Sequence, residues 1–148
     1  MEWLNLLTGK VVGLDTAPLI YFIEQNPKYI TIVREFFSSV NRGKFQVITS
    51  TLTLTEVLVH PLRNGNVKLA RQYQDILLNQ DYLTVFSVSS EIAKLAAELR
   101  ATKNLRTPDA IQIATAIQNG ADFFLTNDMG LRNMSNLTVL VLDDIKAT

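Results

Sequence analysis

The chain has 148 residues, enough for one domain with a buried core. A hydrophobic share of 47% against 19% charged excludes a disordered or fibrous protein, and the lack of cysteine excludes disulfides, iron–sulfur clusters, thiolate zinc sites and cysteine nucleophiles. Fourteen basic residues balance fourteen acidic ones, so no overall basic excess advertises nucleic-acid binding, although a local patch beside a site would suffice.

The opening MEWLNLLTGK has no basic n-region and too short an apolar stretch for a signal peptide. No run approaches the roughly 18 apolar residues of a membrane span. The expectation is a cytoplasmic protein.

VVGLD reads as a short buried strand, and Thr16 and Pro18 offer a helix start into PLIYFIEQN. From Tyr29 to Val40, apolar residues at Ile30, Ile32, Val33, Phe36, Phe37 and Val40 follow the helical period, and Gly43 stops the run. FQVIT is a second strand. Ser50 or Thr51 caps a helix that holds Glu56 and ends near Pro61. A helix over Asn66 to Asn79 and the strand YLTVFSV follow. Ser89 or Ser90 caps a helix striped by Ile92, Leu95, Ala96 and Leu99. Thr107 and Pro108 are cap and first-turn signals for a helix over Asp109 to Gln118, ended by Gly120. DFFLT and LTVLVL are the last strands. With no repeat or linker, this alternation predicts a single domain over residues 1–148, an α/β/α sandwich with a parallel sheet covered on both faces.

Four acids interrupt this pattern. Asp15 and Asp128 follow apolar strands directly, Asp109 opens a helix, and Glu56 sits within about two turns of another helix start. Ligands of open parallel sheets bind outside the carboxyl ends of the strands, where helix starts also point, so all four acids can meet at one edge. Asp122 begins the strand that Asp128 ends, roughly 20 Å away at about 3.3 Å per residue, and is excluded.

Four carboxylates do not crowd together unaided. Two unit charges 4 Å apart cost about 4 kcal/mol at an effective dielectric of 20. Bound divalent cations or raised pKa values must relieve the repulsion. All-oxygen ligands favour magnesium or manganese, and such ions suit hydrolysis of a phosphodiester. Each acid alone also has a bland reading. Asp109 is a favourable charge at a helix N-terminus, Asp15 a turn residue, Asp128 an Asx turn and Glu56 a solvated helix residue. The site requires that these do not coincide by chance. Arg100, Lys103 and Arg106 lead into Asp109 and read either as a grip on phosphates flanking a scissile bond or as solvated charge at a helix end. His60 reads as a surface histidine at a helix end, and Asp143 and Asp144 as solvated charges near the tail.

In VVGLDTAPLIYFIEQNP, TLTLTEVL and LRTPDAIQIATAIQNGADFFLTND the chain resembles the PIN domain family, and within it the small VapC-type ribonucleases of toxin–antitoxin pairs. The resemblance covers nearly the whole chain. It implies a magnesium- or manganese-dependent RNA endonuclease in which Asp15, Glu56, Asp109 and Asp128 bind metal. Thr126 matches the hydroxyl residue that helps position acid and water, and Thr16 the Ser/Thr after the first aspartate. It further implies in-line attack by water that leaves a 3′-hydroxyl and a 5′-phosphate, a homodimer, and an antitoxin whose C-terminal segment covers the site. Housekeeping RNA-processing PIN domains share these acids, and a PIN-like module that binds RNA or protein without cutting is the other class; cleavage with added manganese separates it. A haloacid-dehalogenase-type phosphatase would need D-x-D where Asp15 is followed by Thr16 and Ala17. The acidic pair and lysine of a receiver domain are not in place. LDTAPL lacks the glycines of a dinucleotide-binding turn.

Overall fold

A computed structural model describes residues 1–146. Its five strands are β1 (Val11–Leu14), β2 (Gln46–Ser50), β3 (Leu83–Phe86), β4 (Phe123–Thr126) and β5 (Thr138–Val141). All pair in parallel, in the order β3-β2-β1-β4-β5. The expected α/β fold with a helix-covered parallel sheet is present. Parallel strands need crossovers, and helices supply three of them: α2 (Thr16–Ile23) and α3 (Ile30–Asn41), α4 (Thr51–Arg63) and α5 (Val67–Leu78), α6 (Ser90–Lys103) and α7 (Thr107–Gln118). Strand β4 connects to β5 through a loop with one 3-10 turn at Met129–Leu131. Two short helices, α1 (Glu2–Asn5) and α8 (Leu142–Lys146), flank the sheet.

Alternation along the strands divides the core in two. Val12, Leu14 and Leu125 face a cluster with Leu19, Val33, Phe36, Tyr73 and Leu77. Phe124 faces the opposite cluster with Ile92, Ala96, Ala110 and Ile113. Gly13 lets α7 approach β1: a Cβ there would lie 2.8 Å from the Ala116 Cβ and 2.9 Å from Phe124 Cδ1. That close approach fixes α7, and with it Asp109, against the central strand.

Several boundaries differ from the sequence reading. Asp15 itself caps α2, accepting a hydrogen bond from the Thr16 amide at 2.8 Å, and α2 ends at Ile23, before the positive φ of Gln25. Helix α4 does end near Pro61, at Arg63; Pro61 lies buried inside its last turn, and the Pro61 carbonyl accepts from the Asn66 amide at 2.8 Å. A proline in the last turns forfeits one helical bond. Helix α7 begins at Thr107, with Arg106 in extended conformation just before it, so Thr107 is the first helical residue and not the cap. Leu142 belongs to α8 and not to the last strand, and α1 carried no recognised sequence signal. Among the described residues no helix is long and apolar enough to cross a membrane.

Candidate active site

The strand order reverses around β1: the chain moves outward to β2 and β3, then returns to β4 and β5 on the other side. The crevice between the carboxyl ends of β1 and β4 is where such a sheet binds ligands. A cavity of about 460 Å³ opens there. Asp15, Glu56, Asp109 and Asp128 all line it, with Thr16, Arg106, Gln112 and Asn127. Four acids separated by more than a hundred positions in the chain thus share one mouth.

Each acid is held by its own donors. Asp15 follows β1, and its Oδ2 accepts from the buried Thr126 hydroxyl at 2.7 Å while its Oδ1 accepts from the Thr16 amide. Thr126, at the end of β4, also accepts from the Asp128 amide at 3.0 Å. One hydroxyl therefore fixes the spacing of two acids. Asp128 Oδ1 accepts from the Gly130 amide at 2.8 Å, so the Asx-type turn anticipated in TNDMG is real and coexists with its place in the cavity. Glu56, exposed on α4, accepts from the Thr16 hydroxyl at 2.7 Å. Asp109, in the first turn of α7, pairs with Arg106 Nε at 3.0 Å. Among the described residues, no three acidic or histidine side chains stand together as a ready ligand group.

Electrostatics follows from this crowding. Burial raises the Asp15 carboxyl above its ordinary range, and repulsion from Asp109 and Glu56 adds to it. The bonds from Thr126 and Thr16 pull the other way, yet burial prevails. The Arg106 guanidinium is held more firmly protonated by its bond to Asp109, with Asp128 and Asp15 contributing at longer range. A buried carboxyl that feels Asp109 and Glu56 sits in crowded negative charge that a hard cation would offset. The donor set, all carboxylate and hydroxyl oxygen, suits such an ion by chemistry.

The basic cluster divides. Arg106 lines the cavity, with its side chain 76% exposed. Arg100 instead donates from Nε to the Leu105 carbonyl at 2.9 Å, which ties down the turn before α7, and Lys103 is exposed on the last turn of α6. Asp122 lies at the opposite end of β4, accepting from the Val11 amide at 3.1 Å. His60 is exposed near the end of α4, beside Asn64. Asp143 and Asp144 are not merely solvated. Tyr29 donates its hydroxyl to Asp143 at 2.7 Å, and Asp144 pairs with Arg132.

A family model for the PIN domain matches residues 12–137, most of the chain. The chain belongs to the PIN domain family. The fold is also that of several solved structures. A chain from VapBC2 of Rickettsia felis, bound to a promoter DNA fragment, is 18% identical with a TM-score of 0.70, over 88% of this chain and 98% of that one. A toxin–antitoxin complex from Klebsiella pneumoniae matches at 19% identity and a TM-score of 0.68, over 89% and 97%. VapC20 of Mycobacterium tuberculosis, a toxin that cleaves the sarcin–ricin loop, matches at 18% and 0.63, over 77% and 86%. No curated protein matches the sequence.

Two further polar residues, Asn127 and Gln112, line the cavity without having been singled out in the sequence. Asn127 donates to the Tyr21 hydroxyl at 3.3 Å and accepts from the Asp143 amide at 3.0 Å, which joins the cavity wall to α8. Gln112 is buried under the acids. A polar residue inside the apolar run AIQIATA was its only sequence signal, the same kind of interruption that drew notice to Glu56.

Proposed function

We propose that this PIN domain, spanning residues 1–148, is a divalent-metal-dependent endoribonuclease and the toxin of a toxin–antitoxin pair. The observation that carries the reading is the meeting of four carboxylates on one cavity at the β1–β4 crevice, with Arg106 on its rim. Asp15, Glu56, Asp109 and Asp128 would hold a divalent ion, magnesium or manganese, since PIN nucleases generally use divalent metals and all-oxygen donors suit these two. A bound ion of this kind makes water a stronger nucleophile at neutral pH and offsets charge on the phosphate.

The chain's own residues do the rest. Thr126 keeps Asp15 oriented through its hydroxyl bond and sets its distance from Asp128. Thr16 does the same for Glu56. Arg106 exchanges Asp109 for an RNA phosphate and anchors the strand beside the scissile bond. Hydrolysis leaves a 3′-hydroxyl and a 5′-phosphate. The toxin assignment is supported by the fold shared with chains of toxin–antitoxin complexes; a homodimer in the cytoplasm, silenced by an antitoxin protein, completes the proposal.

The experiment is cleavage of a single-stranded RNA with magnesium or manganese, with and without EDTA. Asp15→Asn, Asp109→Asn and Asp128→Asn should each abolish cleavage with the circular-dichroism spectrum unchanged. Cleavage that survives in all three would remove the acids from the chemistry. Co-expression with the product of an adjacent short reading frame tests the toxin role: growth arrest by the wild type alone, relieved by the neighbour, supports it.

A further inference from the structure

Beneath the acids lies a layer of hydroxyl and amide groups that metal binding does not itself require. Gln112 on α7 is 2% exposed, and its side chain meets three other elements. Its Oε1 accepts from the Ser50 hydroxyl at 3.0 Å, where β2 ends. Its Nε2 donates to Thr53 on α4 and, at 3.5 Å, to Thr16 on α2. Thr53 in turn lies 2.8 Å from Thr49, whose hydroxyl donates to the Leu14 carbonyl at 2.9 Å.

Counting protons gives these bonds a direction. Each hydroxyl has one proton, and a carboxylate or carbonyl can only accept. Thr49 gives its proton to Leu14, so Thr53 must give its own to Thr49. Thr16 gives its proton to Glu56. The oxygens of Thr53 and Thr16, 3.3 Å apart, then have no proton to share with each other, and both need a donor. Gln112 Nε2 supplies both. Ser50 fixes which way the amide points, because its own proton goes to Oε1.

We infer that Gln112 is a positioning residue for Glu56: it fills the acceptor side of Thr16 and so commits the Thr16 proton to the Glu56 carboxylate. Without that amide, Thr16 and Thr53 can bond to each other, and the Thr16 hydroxyl is released from Glu56. The inference rests on the reading of Glu56 as a metal ligand. Partners that orient metal ligands in this way typically matter about tenfold in affinity.

The test uses the full chain and manganese alone, with the bound ion measured by electron paramagnetic resonance. Gln112→Met keeps the volume and removes the amide; Thr16→Val removes the hydroxyl. Each should weaken manganese binding by about tenfold. Because they act through one bond, the double variant should be no weaker than either single one. Thr16→Ser should bind like the wild type. A Gln112→Met protein that melts lower but binds manganese with wild-type affinity would make Gln112 purely structural and overturn the inference. So would losses that multiply in the double variant. If the wild type itself binds no manganese, the metal reading fails first, and that result is distinct from both. Should Gln112→Met not fold, the wild type and Thr16→Val decide by NMR. The Gln112 side-chain amide signals should move when Thr16 loses its hydroxyl, and unchanged signals would overturn the contact.

Discussion

Thr126→Val tests how the cavity is wired, because valine keeps the shape of threonine and removes only the hydroxyl. That hydroxyl is buried, donates to Asp15 at 2.7 Å and accepts from the Asp128 amide at 3.0 Å. Losing a bond to a charged group and leaving a backbone N–H unpaired costs on the order of 2 kcal/mol at a site with some water access. For a chain of this length each kcal/mol lowers Tm by about 2–4 °C, so the loss should be about 4–8 °C. The sign with pH is also fixed. Burial raises the folded-state Asp15 carboxyl above 3.8, so this group favours the folded state at acid pH, and its contribution falls as pH rises through the folded value. Thr126 counters that rise, and removing it moves the Asp15 titration further up. The penalty of Thr126→Val should therefore be largest at neutral pH and shrink once Asp15 is protonated. Urea melts at neutral and acid pH, with the Asp15 carboxyl followed by carbon-13 NMR, read both effects. Thr126→Ser should restore wild-type behaviour. An equal penalty at both pH values, with Asp15 titrating as before, would refute the reasoning.

Asp15→Asn should raise the Tm of the metal-free protein at neutral pH, since it removes a carboxylate that burial and two neighbouring acids disfavour, and should abolish any Tm gain from millimolar manganese; a thermal scan reads both. Gly13→Ala drives a methyl into Ala116 and Phe124 and should cost about 1–3 kcal/mol in urea melts, as overpacking does. Arg106→Gln, in a protein whose metal site is disabled, should account for most of the RNA affinity lost when Arg100, Lys103 and Arg106 are neutralised together, with the salt slope falling by about 0.7 for one phosphate contact on a single strand. Fluorescence titrations at several salt concentrations measure it. Equal effects from all three residues would show that the tie between Arg100 and Leu105 does not take Arg100 out of RNA binding.

The sheet and the convergence of the acids were legible because carboxylates at strand ends and helix starts contradict a buried pattern. Asp15 and Asp128 stood out against VVGL and FFLT, and Asp122 was excluded by strand length alone. The local partners of those acids were less visible. Arg106 was anticipated as part of a three-residue grip, but only the fold shows that Arg100 turns to its own backbone. Gln112 and Asn127 could not be assigned, because their bonds join residues up to 106 positions apart and depend on how closely α7 and α8 approach the sheet. Pro61 marked the end of α4 to within two residues, because a proline so close to the C-terminus forfeits little of the helix.

The central claim is that these acids drive metal-dependent hydrolysis, and the chemistry of the RNA ends tests it most directly. An end-labelled single-stranded RNA would be incubated with manganese and either wild-type protein or Asp15→Asn, and the termini of the products identified by mass. The account predicts 5′-phosphate and 3′-hydroxyl ends from the wild type, none with EDTA and none from Asp15→Asn. Products ending in 2′,3′-cyclic phosphate, or cleavage that persists without metal, would contradict it.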